Sequence, residues 1–374
     1  MDTLLLTCPC NFGVEAVLKR ELEQAGMKIA QVEDGRVDFW GGAESVAYAN
    51  VFLRSAERVL VKLAAFPATT FEELYQGVKS IDWAAYLPKD ACFPAAKAAS
   101  RKSVLFSTSD IQAIVKKAAV DKMFQQYRIN RLPETGHRYP IHIFVNKDVV
   151  HIYLDSSGDP LFKRGYRRET NLAPMKETLA YALTAVSGWR YGQLLVDPLC
   201  GSGTILIEAA MAALSIAPGE KRRFLAEDWS FLPRSAWRDV RSQAREERLT
   251  QVGDLRLQGY DLDPKVLRAA RHNAEAAGVA QYIHFQQRDV RDFSSSERRG
   301  RIITNPPYGE RLEQKSQARQ LYQDMGRVFG KLQDFACGIV AADDCFEQYY
   351  GRRADKRRKL YNGMIKCTFY QYFK

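Results

Sequence analysis

The chain has 374 residues, 46% hydrophobic and 26% charged, enough for two or three domains with ordinary globular cores. No apolar run reaches the length of a membrane span, and the chain opens with acidic Asp2 instead of a basic leader. A cytoplasmic protein is therefore expected, with no membrane partner. The 55 basic residues against 44 acidic give a formal charge of +11, which points to a polyanionic partner or, more simply, a solvated basic surface.

The first stretch, "TLLLTCP", is expected to be a strand. A helix over "VEAVLKRELEQAG" follows, with Val14, Val17, Leu18 and Leu22 at helical spacing and Gly26 as its stop. A strand at "GRVDFWG" (35–41) and a helix around 43–56 complete a small α+β unit over residues 1–65. Residues 66–156 repeat the theme. "FEELYQGVKSIDW" reads as helix and "SVLFSTS" as strand. "DIQAIVKKAAVDKMFQQYR" reads as an amphipathic helix capped by Ser109 or Asp110, with Ile111, Ile114, Val115, Ala118, Ala119 and Met123 on one face. "YPIHIFVNKDVVHIYLDSSG" reads as a hairpin turning at "NKD", and 158–167 as a linker. Within the domain expected at 157–374, strands and helices alternate from 170 onward: "QLLVDP", "TILIEAAMAAL", "LRLQGYD", "PKVLRAARHNAEAAG", "YIHFQQRD", "RIITNPP", a helix around 317–332 and "FACGIVAAD". This is the pattern of a doubly wound α/β sheet, and "MIKCTFYQYF" alternates as an added antiparallel strand would.

Seven cysteines stand at 8, 10, 92, 200, 337, 345 and 367 without a CxxC pair, and the five histidines do not cluster with them. Packing thiols of a reduced protein are expected, and no metal. Basic residues recur in separate segments. They are Lys97, Arg101 and Lys102; Lys116, Lys117 and Lys122; Lys163, Arg164, Arg167 and Arg168; and "RRADKRRK" (352–359). A fold could gather these onto one face or leave them as solubility surface.

Four signals fall at the carboxyl ends of successive strands, where open α/β sheets bind ligands. In "VDPLCGSGT" a strand ends at Asp197, and Gly201 and Gly203 form a loop that opens a helix at Thr204. Such a loop lets a ligand approach the backbone, although an ordinary tight turn would look similar, and it is not the dinucleotide pattern GxGxxG. Asp261 ends the next strand, where a carboxylate can accept both hydroxyls of a ribose, while Asp263 reads as the cap of the helix begun by Pro264. Asp289 ends another strand and can accept from an exocyclic amine of adenine. Last comes "TNPPYGER" (304–311). Pro306 and Pro307 hold the backbone extended and leave carbonyls unpaired, so Asn305 and a proline carbonyl can accept both hydrogens of one planar amine. Tyr308 offers a face for stacking. A strand-terminating turn explains the prolines but not the Asn and Tyr beside them. Cys200 lies in the cofactor loop, with no base near it in sequence, and reads as a packing residue there.

In this order the four signals resemble the class I S-adenosylmethionine-dependent methyltransferases, and within them the amino-methylating branch with its (D/N/S)PP(Y/F/W) signature. The likeness covers the whole chain. "TCPCNFGVEAVLKREL" resembles a ferredoxin-like piece, "DIQAIVKKAAVDKM" with its hairpin resembles a THUMP RNA-binding domain, and "RKLYNGMIKCTFYQY" resembles the family's C-terminal end. The nearest group is the THUMP-containing 23S rRNA guanine-N2 methyltransferases, whose members were often labelled N6-adenine-specific DNA methylases from NPPY alone. The resemblance implies a Rossmann-like domain, mostly parallel with an antiparallel C-terminal strand, behind the ferredoxin-like and THUMP domains. It also implies S-adenosyl-L-methionine as cofactor and RNA as partner: 23S rRNA or a ribosome assembly intermediate, or else tRNA. By the same likeness Asp197, Cys200, Gly201, Gly203, Thr204, Asp261 and Asp289 line the cofactor. Thr170, Asn171 and Lys176 in the pre-sheet segment reach its amino-acid end, and Asn305, Pro306, Pro307 and Tyr308 hold the base. Some members of that group are fused to a second methyltransferase that makes 7-methylguanine; because the sequence ends at 374, that second activity is expected to be absent.

Three rival readings stand beside this one. A DNA adenine-N6 methyltransferase fits NPPY but lacks a stretch resembling a target-recognition domain. A protein-glutamine methyltransferase leaves the THUMP-like half without work. A catalytically silent RNA-binding protein does not explain intact motifs.

Overall fold

The computed structural model describes residues 3–167, 175–308 and 312–373. Strand β1 (Leu4–Pro9) buries Leu4, Leu6 and Cys8, and helix α1 (Glu15–Gln24) covers it with Val17, Leu18 and Leu22. Next come β2 (Lys28–Glu33), β3 (Arg36–Gly41), α2 (Ala43–Phe52) and β4 (Leu60–Pro67). Sequence patterning signals neither β2 nor β4. Strand β2 is exposed or half-exposed along its length, so "KIAQVE" carries no burial signal.

Strand β1 pairs with both β3 and β4, and β4 pairs in turn with β7 (Val149–Asp155). The sheet then continues through β6 (Ile141–Asn146) to β5 (Ala95–Arg101). One seven-stranded sheet, in the order β2-β3-β1-β4-β7-β6-β5, therefore runs through both N-terminal units, with β5 and β6 parallel and every other pair antiparallel. The β6–β7 turn uses Lys147 and Asp148 at φ 51° and 62°, as the "NKD" signal predicts.

Helices α3 (Phe71–Lys79) and α4 (Thr108–Tyr127) pack against this sheet. The expected strand "SVLFSTS" is corrected: 103–107 is a loop and the strand lies earlier, at Ala95–Arg101. Lys102 leaves extended geometry at φ 50°, and the Val104 amide donates to the Asp148 carboxylate at 2.7 Å instead of to a neighbouring strand. The cap of α4 also moves, to Ser107, one residue before the helix.

The second sheet has the order β10-β9-β8-β11-β12-β14-β13. Its members are β8 (Leu194–Asp197), β9 (Leu257–Asp261), β10 (Ile283–Gln287), β11 (Gly300–Thr304), β12 (Phe335–Ala341), β13 (Lys356–Asn362) and β14 (Ile365–Tyr372). The first five are parallel, and β14 and β13 close the edge antiparallel. The chain steps outward from β8 to β10, then returns to place β11 on the other side of β8. The topological switch point is thus the seam between β8 and β11. Helices α5 (Glu177–Ser187), α6 (Thr204–Ala213), α7 (Arg234–Glu246), α8 (Pro264–Ala277), α9 (Leu312–Gly330) and α10 (Phe346–Tyr350) accompany it.

The two halves are packed into each other. Helix α7, which the sequence reading omits, lies against α2, and Tyr139 stacks on Trp229 at 5.1 Å while the Trp229 indole donates to the Arg138 carbonyl at 2.8 Å. Residues 158–167 form no helix or strand, yet Leu161, Arg164 and Tyr166 are buried, so this linker is a packed strap. No described helix is long and apolar enough to cross a membrane.

Candidate active site

At the carboxyl ends of β8 and β11 a side-chain hydrogen bond crosses the seam. Asp197 ends β8 fully buried; the Thr304 hydroxyl, ending β11, donates to its carboxylate at 2.7 Å, and the Leu199 amide donates at 3.2 Å. Burial pushes the Asp197 carboxyl up to about 7, with the nearby Asp261 charge adding to the rise and the Thr304 and Leu199 bonds opposing it. Beyond it the loop turns through Gly201 (φ 53°) and Gly203 (φ 80°) into α6. A side chain at Gly201 would project into open space, so the loop leaves its backbone accessible. At Gly203 a side chain would strike Phe285 at 2.9 Å, so that glycine serves loop packing. Cys200 is buried, and burial pushes its thiol well up, which removes it as a nucleophile.

Asp261, at the end of β9, fixes the other side of the loop. It accepts from the Gly201 amide at 3.0 Å and from the Asp263 amide at 3.0 Å. Asp263 caps α8 by accepting from the Lys265 amide, as its sequence position predicts. Asp289 follows β10, but Arg291 grips its carboxylate through Nε and Nη2 and holds it below the ordinary aspartate range. Asp197 and Asp261 thus border one glycine loop with an open face, while Asp289, two residues beyond β10, is engaged by Arg291.

After Thr304 come Asn305, the buried Pro306, the exposed Pro307 and Tyr308. The Tyr308 hydroxyl donates to Asn305 Oδ1 at 2.5 Å and accepts from Asn362 Nδ2 at 3.2 Å, and burial pushes it far above the ordinary phenol range. Tyr308 is therefore a braced ring, and it occupies one of the two lone pairs on the Asn305 oxygen. The Pro307 carbonyl accepts from the Tyr322 hydroxyl at 3.4 Å.

Sequence reasoning missed three contributors. Thr304 has the motif position but no motif status. Asn362 lies 54 positions downstream, and only the fold of the β13–β14 edge brings it to Tyr308. Arg167, taken as one of the surface cations, instead donates to the Thr204 hydroxyl at 3.0 Å and to the Met175 carbonyl, and it pairs with Glu177 at 3.3 Å. Burial raises the Glu177 carboxyl to about 7, and its Oε2 is buried without a hydrogen-bond partner among the described residues. Arg164 is likewise internal, 3.6 Å from the buried Glu208, so two of the expected basic-face residues are structural.

Lys176 turns to the N-terminal half, where it and Thr178 both bond Glu57, at 2.8 and 2.6 Å. Lys176, expected at the cofactor's amino-acid end, here makes a bond between the halves. Thr170 and Asn171 lie outside the described residues. None of the seven cysteines forms a disulfide, and no group of three or more metal-ligating side chains gathers among the described residues.

A glycine loop at the switch point of such a sheet, bordered by strand-end carboxylates, with an Asn-Pro-Pro-Tyr turn across the seam, defines a class I S-adenosyl-L-methionine-dependent methyltransferase domain. Residues 164–371 match the RMKL-like methyltransferase domain, residues 5–60 the RlmL ferredoxin-like domain and residues 68–155 the THUMP domain. A Bacillus subtilis (strain 168) protein named "Putative RNA methyltransferase YpsC" is 42% identical over 99% of this chain and 96% of its own length. A possible methylase from Clostridium difficile 630 superposes with a TM-score of 0.95 at 45% identity, over 99% of this chain and 98% of its own. SMU.472, described as "a putative methyltransferase complexed with SAH", gives 0.92 at 41%, over 100% and 98%. The chain belongs to the THUMP-containing, RMKL-like family of methyltransferases.

Proposed function

We infer that this methyltransferase modifies an exocyclic base amine in structured RNA, guanine N2 of 23S rRNA being the substrate that fits best. The observation that carries the reading is the seam itself: Thr304 binds Asp197 on the cofactor side, and Asn305, the next residue, begins the amine-accepting turn.

On this reading the open loop at Gly201 receives the cofactor. Asp261 takes the ribose hydroxyls with the acceptor capacity its two amide contacts leave, and Asp197 and Glu177 face the cationic amino-acid end. Asp289 takes the adenine amine once the largely exposed Arg291 swings aside. S-adenosyl-L-methionine supplies a methyl group on a positively charged sulfur, which departs as a neutral thioether. Asn305 Oδ1, through its second lone pair, and the Pro306 carbonyl accept the two amine hydrogens and aim the nitrogen lone pair at that methyl carbon. Tyr308, held by Asn305 and Asn362, forms the wall against which the base ring lies. Positioning and exclusion of water supply most of the effect, so no strong general base is required, and the proton released by the amine leaves along the two acceptors. The target nucleotide is turned out of its stack at a cost of about a few kcal/mol.

RNA is favoured over DNA because the family's THUMP domain is joined to the catalytic domain through buried contacts such as Tyr139 on Trp229, which would hold a bound RNA in fixed register with the site. The experiment is tritium transfer from labelled S-adenosyl-L-methionine to total RNA from a strain lacking the gene and, in parallel, to unmethylated genomic DNA. Nucleoside analysis follows. Label in N2-methylguanosine of 23S rRNA is the expected result. Label in tRNA would move the substrate, and label in N6-methyladenine of DNA would contradict the reading.

A further inference from the structure

The catalytic turn does not end at its own residues. Asn362, which braces Tyr308, is the last residue of β13, and the hairpin to β14 turns there through Gly363 and Met364, with Asn362 opposite Ile365. Gly363 sits at φ 64°, as the first central position of such a two-residue turn requires. Met364 beside it is 97% exposed. Tyr361 is 42% exposed and meets Phe12, 38% exposed, edge to face at 6.0 Å.

Phe12 comes from the first loop of the chain, so this surface is built from the two ends of the sequence. They are locked together: Arg358 Nη1 donates to the Gly13 carbonyl at 2.7 Å, and a side chain at Gly13 would stand 2.2 Å from the Lys359 carbonyl. Strand alternation puts Lys359 and Tyr361 on one face of β13, and Lys366 stands directly opposite Tyr361. Both lysines are exposed, and neither pairs with a carboxylate among the described residues. Of the run's other cations, Arg357 pairs with Glu347 and Arg352 with Asp355, while Arg353 and Lys356 are exposed.

We propose that this patch, Phe12, Tyr361 and Met364 with Lys359 and Lys366, is the surface that receives the RNA strand flanking the target nucleotide. Met364 enters the space the turned-out base vacates. The proposal rests on the base-amine reading above. An exposed aromatic pair offers stacking to neighbouring bases, unpaired lysines meet phosphates, and an apolar side chain at the tip of a rigid turn can hold a separated base step apart. The hairpin is continuous with the site through Asn362, so a strand lying on it delivers its nucleotide to Tyr308.

The test compares wild-type enzyme with Tyr361→Ala, Met364→Ala and the double variant Lys359→Gln/Lys366→Gln, using total RNA from a strain lacking the gene and reading label in N2-methylguanosine. SAH affinity, measured by calorimetry, reports that each variant remains folded. Tyr361→Ala is expected to raise the KM for RNA by about 5- to 100-fold with SAH affinity unchanged, the range of one base–aromatic stack. The double lysine variant should flatten the dependence of log affinity on log salt by about 1.5 to 2. Met364→Ala should lower kcat more than it raises KM. If wild type labels RNA and all three variants match it, the surface is wrong while the activity stands. If wild type labels no RNA, the base-amine reading fails, and this inference with it.

Discussion

On one side of the β8/β11 seam the carboxylates of Asp197, Asp261 and Asp289 take hydrogen bonds from backbone amides no more than two residues onward, and Asp261 takes one more from the Gly201 amide of the loop it faces. On the other side Asn305, Tyr308 and Asn362 are held by one another, side chain to side chain, across 54 positions of sequence. The first arrangement is anchored in local backbone, with the Thr304 and Arg291 side chains adding bonds to Asp197 and Asp289. The second can be rearranged by breaking two hydrogen bonds, each worth about 0.5–1.5 kcal/mol net. On the function proposed above, a site that must hold a cofactor and also admit a base from a large polyanion would benefit from this division, firmer on the proposed cofactor side and more yielding on the proposed substrate side.

The comparison breaks most visibly at Asn305. Asn305→Ala should lower kcat by at least about 10²- to 10³-fold, the size associated with losing one well-placed polar group at the reacting centre, and leave SAH affinity nearly intact. On the opposite side, Asp261→Ala should weaken SAH by about 10- to 100-fold, since it removes charged hydrogen bonds to the ligand and frees the Gly201 amide. RNA binding in the absence of cofactor should not change.

A finer test uses pH. The Asp197 carboxyl, raised to about 7, is protonated below that value in the free enzyme and, on the proposed reading, must lose its proton to receive a cation. Cofactor affinity should therefore fall as pH drops below 7, by up to about tenfold per unit for each of the two raised carboxyls, Asp197 and Glu177, and level off above it. Asp197→Asn should retain only the share of that slope belonging to Glu177, whose carboxyl burial also raises to about 7. Identical pH profiles for the two proteins, read by calorimetry, would remove Asp197 from the cofactor site. The smallest effect is expected at Asn362→Ala. Loss of one bond to Tyr308 should cost about two- to tenfold in kcat and nothing in cofactor binding. A larger loss there, with falling thermal stability, would mean that the brace supports the β13–β14 edge and not the site.

Much of the cofactor side is legible in sequence because its determinants are local: a carboxylate at a strand end, a glycine with positive φ and a helix start lie within ten residues of each other. The NPPY turn is legible for the same reason. Asn362 is not, since nothing in "YNGM" announces which distant hydroxyl it will meet. Arg164 and Arg167 mislead in the opposite sense, because composition counts them as surface charge while the fold buries Arg164 against Glu208 and half-buries Arg167 against Glu177. In the N-terminal half, β2 and the loop at 103–107 escape the patterning rules. The first shows no inward face, and the second carries Val104 and Phe106 outward, where their β-branched and aromatic character signals a strand that is not there.

The most direct test of this division is one paired experiment. SAH affinity and single-turnover methyl transfer to RNA are measured together for Asn305→Ala and Asp261→Ala. The account predicts that the first loses transfer and keeps SAH, and that the second loses SAH but recovers most of its transfer rate at saturating S-adenosyl-L-methionine. If both variants lose both functions in parallel, the two sides of the seam are a single coupled unit and the division is wrong.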